Sequence, residues 1–177
     1  DHSFVGRKSS PIKTLDEQPG QLPEMKLDHL FRMSDSTGIF QHASFTVPNF
    51  AEGYCTDDNA RALVLAMMLQ RLGQGSLRLS EQAATYAAFL NHAFDRGRGR
   101  FRNLMSFDRR WLEEVGSEDC QGHALWALGL CVAQAGQGSF QMLAAQLFEQ
   151  ALPVAGGFTS PRAWAFTLIG IDEYLRR

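Results

Sequence analysis

The chain has 177 residues, of which 45% are hydrophobic and 20% charged, and its formal net charge is −2. This composition is typical of a soluble globular domain with a hydrophobic core. The mixed charges form no basic stripe, which argues against a nucleic-acid partner. The apolar runs are about half as long as the roughly 20 residues that span a bilayer, so we predict no membrane partner either.

Cys55, Cys120 and Cys131 form an odd set without CxxC spacing. This pattern is typical of a reduced, cytoplasmic protein, and we predict neither a metal site nor a cofactor. Residues 1–24 are rich in Ser, Pro, Gly and Gln and begin with Asp, which indicates a linker or tail before a helical domain at 25–177. We expect the sequence to be a piece of a longer chain.

Helix-start signals recur along the chain, each a hydroxyl residue ahead of an apolar run. They lie at Thr56, Ser80, Ser117 and Ser160, and Pro161 strengthens the last of them. Acids follow within the first turn at three of the four positions, where they suit the positive end of the helix dipole. Each signal predicts the beginning of a helix.

The predicted helices are of two kinds. Inner helices are apolar almost all the way round, which predicts burial on every side, whereas outer helices mix polar and apolar residues, as a helix with one solvent-facing side does. The inner segments are 60–69, 124–133 and 163–171, and the outer segments are 81–95, 139–152 and a third candidate at 22–33.

Alternating inner and outer helices predict an all-α fold of the (α/α) toroid type, with a stack of helical repeats as the alternative. About three helical hairpins are present, which amounts to a partial ring. Its unfinished edges would expose apolar surface, so we expect self-association or a longer chain that completes the ring. The connections 34–55 and 96–116 lead into inner helices, and their aromatic and charged content favours ordered, functional segments.

Three polar motifs open the inner helices: GYCTDDNARAL at 53–63, a long motif at 99–129, and FTSPRAWAF at 158–166. In a toroid these N-terminal ends share one face, so the motifs predict a single shallow cleft. Its candidate residues on helices are Asp57, Asp58, Arg61, Glu118, Asp119, His123, Arg162 and Trp164, and those in the connections are His42, Tyr54, Asp108, Arg110 and Trp111.

The stretches DHLFRMSDSTGIFQHASFTVPN, EGYCTDDNARAL, GRFRNLMSFDRRWLEEVGSED and FTSPRAWAF resemble helical toroid regions associated with bacterial glycosyltransferases, within the six-hairpin glycosidase superfamily. The resemblance covers about residues 25–177. It implies an (α/α) barrel that acts on or binds a saccharide. This chain supplies only about half of the hairpins that a complete ring of that kind contains.

Glycoside hydrolysis needs a carboxylic acid that protonates the leaving oxygen and a carboxylate that activates water or attacks the anomeric carbon. Asp57 or Asp58 on one inner helix and Glu118 or Asp119 on the next offer such a pair. The competing interpretation is structural, because acids just inside a helix start commonly cap the helix or interact with its dipole.

Sugar binding needs aromatic faces and hydrogen-bond donors, for which Trp111 and Trp164 are the stacking candidates. Trp126 lies deeper in its helix and is predicted to be core. A non-catalytic saccharide-binding or accessory domain of a glycosyltransferase is therefore the alternative function. His42 and His123 raise a sugar 2-epimerase as a further alternative, against a hydrogen-bonded core histidine. A purely structural helical domain is the remaining hypothesis.

Overall fold

The computed structural model describes residues 25–134 and 138–176, so the predicted tail at 1–24 lies outside the described residues. The described chain is mostly helical, with a few short strands that the all-α prediction did not include. No described helix is long and apolar enough to cross a membrane.

The helices are α1 (Asp28–Arg32), α2 (Thr56–Arg71), α3 (Leu77–Ala93), α4 (Glu118–Gln134), α5 (Ser139–Ala151) and α6 (Pro161–Leu175). The strands are β1 (Ala43–Ser44), β2 (Val47–Pro48), β3 (Tyr54–Cys55), β4 (Phe94–Asp95), β5 (Arg100–Phe101) and β6 (Leu104–Met105), and 3₁₀ turns cover Phe50–Glu52 and Leu152–Gly157.

The three predicted inner segments lie within α2, α4 and α6, and two of the predicted caps are confirmed. Ser117 Oγ accepts the N–H of Cys120 at 3.1 Å, and Ser160 Oγ accepts the N–H of Ala163 at 3.3 Å. Each bond satisfies one of the backbone donors that a helix start leaves without an intrahelical partner.

The predicted start of the first outer helix was wrong. α3 begins one turn before Ser80, at Leu77, because Ser76 has extended backbone angles and its Oγ accepts the N–H of Leu79 at 3.1 Å. The earlier start buries Leu79 completely. The helix also ends at Ala93, since the next two residues form β4, which pairs with β5. For the candidate helix at 22–33, the described helical part is α1 alone.

α2, α4 and α6 lie side by side and parallel, with α4 in the middle. The N-terminal ends of α2 and α4 meet at the carbonyl of Arg102, which accepts from the Thr56 hydroxyl at 2.6 Å and from the Cys120 thiol at 4.0 Å. The C-terminal ends of α2 and α6 are joined by the ion pair of Arg71 with Glu173 at 2.7 Å. α3 packs on α2 and α5 packs on α4, which gives an inner row and an outer row. Closure of this arrangement into a toroid stays a prediction.

The contact between α4 and α6 is built from small residues. A Cβ atom placed on Gly129 would lie 2.1 Å from the carbonyl oxygen of Gly170, and one placed on Gly170 would lie 2.6 Å from the carbonyl oxygen of Leu125. Such distances are far inside van der Waals contact, so the two helix backbones touch directly. This close approach fixes the N-terminal ends of α4 and α6 relative to each other.

The predicted burial of segment 163–171 on every side was wrong. α6 buries one stripe against α4 and leaves Trp164, Leu168, Ile169 and Leu175 between 36% and 72% exposed. The physical reason is that the described elements cover α6 from one side only. The apolar flank expected for a partial ring is therefore present on α6.

The two long connections are ordered, as predicted, and they pair with each other. β3 ends the first connection and β6 lies in the second, and the two strands are antiparallel, with Tyr54 opposite Met105 and Cys55 opposite Leu104. The segment that leads into α4 is therefore held against the N-terminus of α2. This pairing is what places the candidate residues of the two motifs near one another.

Candidate functional site

The N-terminus of α2 is capped by a residue that is distant in the sequence. Thr56, predicted as the cap, is the first helical residue, and its hydroxyl donates to Arg102 instead. Asn103 takes the capping role: its Oδ1 accepts the N–H of Asp57 at 3.2 Å and the thiol of Cys55 at 3.3 Å. Because Asn103 lies 46 residues away along the chain from Asp57, the local sequence gave no signal for this contact.

Asp57 and Asp58 share one cation. Arg61 follows them by one helical turn, and its Nη2 donates to Asp57 Oδ1 at 2.6 Å and also to Asp58 Oδ1. The ligand atoms of Cys55, Asp57 and Asp58 lie within 4.8 Å of one another, a spacing that a metal ion requires. However, burial raises the pKa of the Cys55 thiol to about 12, and Arg61 already pairs with both carboxylates. We therefore assign no metal to this cluster.

Acidic residues of α4 hold the start of α6. Glu118 accepts the backbone N–H groups of Ser160 at 2.7 Å and Thr159 at 2.9 Å, and these bonds lower the pKa of its carboxyl group. Asp119 accepts the Ser160 hydroxyl at 3.1 Å and lies 3.4 Å from Nε of Arg162. Both carboxylates therefore act as hydrogen-bond acceptors that join two helix starts.

His123 lies where the three inner helices meet, and it is 3% exposed. Its Nδ1 is 2.9 Å from the carbonyl oxygen of Asp119, and since a carbonyl only accepts, Nδ1 carries the proton and Nε2 is the acceptor of the neutral ring. The ring centroid is 4.0 Å from that of Phe166. Burial lowers the pKa of His123. The charged groups that act on it come from α2 and α6 and are Asp57, Arg61 and Arg162.

Two candidates in the first connection lie outside this cluster. Tyr54 is buried, and its hydroxyl donates to Asp35 at 2.7 Å, so burial and this carboxylate raise its pKa to about 12. It supports the connection and presents no hydroxyl to a ligand. His42 precedes β1, and its carbonyl accepts the N–H of Asn49 at 2.8 Å. Among the described residues, no hydrogen bond or ring contact joins His42 to His123.

The candidates of the second connection have structural partners. Arg110 Nε lies 3.0 Å from Asp108 Oδ2, and both side chains are well exposed, so this pair resembles an ordinary surface ion pair. Trp111 is half-buried: its ring lies 5.7 Å from Phe89 and 5.7 Å from the Arg102 guanidinium. Packing on these neighbours makes Trp111 a support of the loop.

The two tryptophans of the inner helices differ in burial. Trp164 is 36% exposed, its Nε1 donates to the Phe158 carbonyl at 3.1 Å, and helical spacing places it on the free flank of α6, opposite Phe166. Trp126 packs against the core, as predicted, but is only half-buried. It stacks on Phe166 with a centroid distance of 5.8 Å and an interplanar angle of 5°. Phe166 was not among the predicted residues, although its position four residues after Arg162 places both on one stripe of α6.

A cavity of about 400 Å³ lies between α1, residues 39–41 and α2. Asp58 and Arg61 line it together with His29 and Gln41, and the rest of its wall is mostly apolar. Arg61 thus stands between this cavity and His123. The volume is in the range of small-molecule sites.

No family model, no curated protein and no solved structure matches this chain. The structure brings together Asp57, Asp58, Arg61, Glu118, Asp119, His123 and Arg162 at one end of the inner row, and it places Tyr54, Asp108, Arg110, Trp111 and Trp164 in other surroundings.

Proposed function

We propose that this domain binds a saccharide at the N-terminal end of α2, α4 and α6, as a binding or accessory domain and without cleaving the glycosidic bond. One observation carries the choice of binding over hydrolysis: each of the four candidate carboxylates already has a partner. Asp57 and Asp58 pair with Arg61, Glu118 accepts backbone N–H groups, and Asp119 faces Arg162.

The protonation of these acids supports the same choice. A general acid for glycoside hydrolysis needs a raised pKa, so that it still carries a proton near neutral pH. Hydrogen bonds lower the pKa of Glu118, which leaves this group ionised. Any other acid of the cluster would first have to leave its arginine, whereas ligand binding needs no such rearrangement.

The chemistry of the cluster fits a saccharide because sugar hydroxyls both donate and accept hydrogen bonds. Arg61 and Arg162 supply donors, and Asp57 and Nε2 of His123 supply acceptors. The cavity beside Arg61 gives a concave surface of suitable size.

The test is calorimetric titration of the chain with gluco-, manno- and galacto-oligosaccharides, with the same samples assayed for cleaved or epimerised sugar. We expect binding without product. Arg61→Met should weaken binding about tenfold or more, because a charged hydrogen bond is worth about 1.5–3 kcal/mol. Arg96→Met is the matched control, since Arg96 is exposed and bonds only Asn91 among the described residues.

Turnover to a shorter saccharide would replace this proposal with a hydrolase, and turnover to the C2 epimer would replace it with an epimerase. Absence of binding across all three sugar series would overturn the proposal itself. Equal loss of affinity in Arg61→Met and Arg96→Met would show that the site lies elsewhere.

A further inference from the structure

Helical spacing aligns one stripe of each inner helix on a common surface, which we call the three-helix face. It consists of Arg61 and Met68 on α2, His123 and Trp126 on α4, and Phe166 and Ile169 on α6. Within each pair the two positions are three or seven residues apart, which keeps them on one side of a helix. The ring contacts of Phe166 with His123 at 4.0 Å and with Trp126 at 5.8 Å bring the α4 and α6 stripes together.

An ion pair crosses the C-terminal end of this face. Arg71 reaches from α2 to Glu173 on α6, and its Nη2 lies 2.7 Å from Oε2 of the carboxylate. Gln134 of α4 lies beside Arg71 at the same level. These side chains bridge the row at its C-terminal end, opposite the charged cluster at the N-terminal end.

We infer that the Trp126–Phe166 ring pair is a stacking surface for a pyranose and that Nε2 of His123 accepts a hydrogen bond from a hydroxyl of that sugar. This inference rests on the proposed function and names the residues that would contact the ring. The two rings are nearly parallel and only half-buried, so they retain apolar surface for the C–H side of a sugar. Nε2 has no hydrogen-bond partner within the described part of the chain.

The surroundings of His123 favour the neutral ring that this role needs. Arg61 of α2 and Arg162 of α6 act against a positive charge, Asp57 of α2 acts in the opposite direction, and α4 contributes the carbonyl of Asp119. Burial is the largest effect and holds the pKa below its ordinary 6.5. Protonation would turn Nε2 into a donor and place a third cation near two arginines, so binding should weaken as the pH falls.

The experiment titrates the chain with cellotriose, mannotriose and galactotriose between about pH 5 and pH 8, following heat and tryptophan fluorescence. We expect Phe166→Leu and Trp126→Leu each to weaken binding about twofold to tenfold, the range of an aromatic stacking contribution. Phe45→Leu makes the same change at a fully exposed ring and should leave binding unchanged. Circular dichroism shows which variants remain folded. The pH dependence of wild-type binding tests the inference without any variant.

His123→Gln tests whether His123 acts through the acceptor at Nε2 or only through the packing of its ring. Its amide oxygen replaces the Nε2 acceptor but does not titrate, so we expect retained binding that no longer weakens in acid. If the wild type binds but the ring substitutions do not weaken binding, this inference is overturned and the proposed function stays intact. The same holds if wild-type binding does not change with pH. Failure of the wild type to bind any of the sugars would overturn both.

Discussion

Replacement of Gly129 by Ala tests the direct backbone contact between α4 and α6. The new Cβ would lie 2.1 Å from the Gly170 carbonyl oxygen, and ordinary contact begins at 3.4 Å, so the helices would have to separate by about 1.3 Å. Overpacking of a well-packed core costs about 1–3 kcal/mol. We take the upper part of that range, about 2–3 kcal/mol, because the obstacle here is backbone that no side-chain rotation can relieve. Alanine returns about 1 kcal/mol through its higher helix propensity. We expect a net loss of about 1–2 kcal/mol in the free energy of unfolding.

Urea denaturation followed by circular dichroism measures this loss as a lower midpoint at an unchanged slope. Gly156→Ala is the control, because Gly156 is exposed and a Cβ there would meet nothing within 4 Å. A Gly129→Ala protein as stable as the wild type would refute the reasoning, because it would mean that α4 and α6 do not touch at this level.

Two further predictions concern helix starts. Glu118→Gln should lower the free energy of unfolding near neutral pH, because the carboxylate that accepts two backbone N–H groups is lost. Folding lowers the pKa of Glu118. The stabilisation by its carboxylate is therefore fully present above the ordinary pKa of 4.5 and disappears as the pH falls through the lower pKa of the folded state. The measurement is the urea midpoint of both proteins at neutral and acidic pH, with Glu114→Gln as the exposed control. Ser76→Ala should cost about 1 kcal/mol by removing the cap of α3, whereas Ser80→Ala should cost much less.

The first of these predictions fails if the gap between wild type and Glu118→Gln stays constant with pH. The second fails if Ser80→Ala proves the more damaging change, which would restore the helix start that the sequence alone indicated. Both sets of variants lie outside the ring pair and Arg61, so they test the scaffold independently of any ligand.

Much of the helical architecture follows from the sequence alone. Apolar runs with caps at Ser117 and Ser160 located the starts of α4 and α6, because a hydroxyl beside the first turn is a local interaction. The motif DDNAR likewise placed Asp57, Asp58 and Arg61 within one helical turn of one another. Their ion pairing follows from helical spacing without any knowledge of the fold.

Other features depend on contacts between distant parts of the chain. Asn103 caps α2 because β3 pairs with β6, and no local pattern encodes that pairing. A glutamate at position 118 could serve as a catalytic acid by its chemistry alone. In the fold, Glu118 instead accepts backbone N–H groups at the start of α6, and these bonds lower its pKa. Trp126 packs against the core, as its position in the sequence predicted, but its stacking on Phe166 is decided only when α4 and α6 come together.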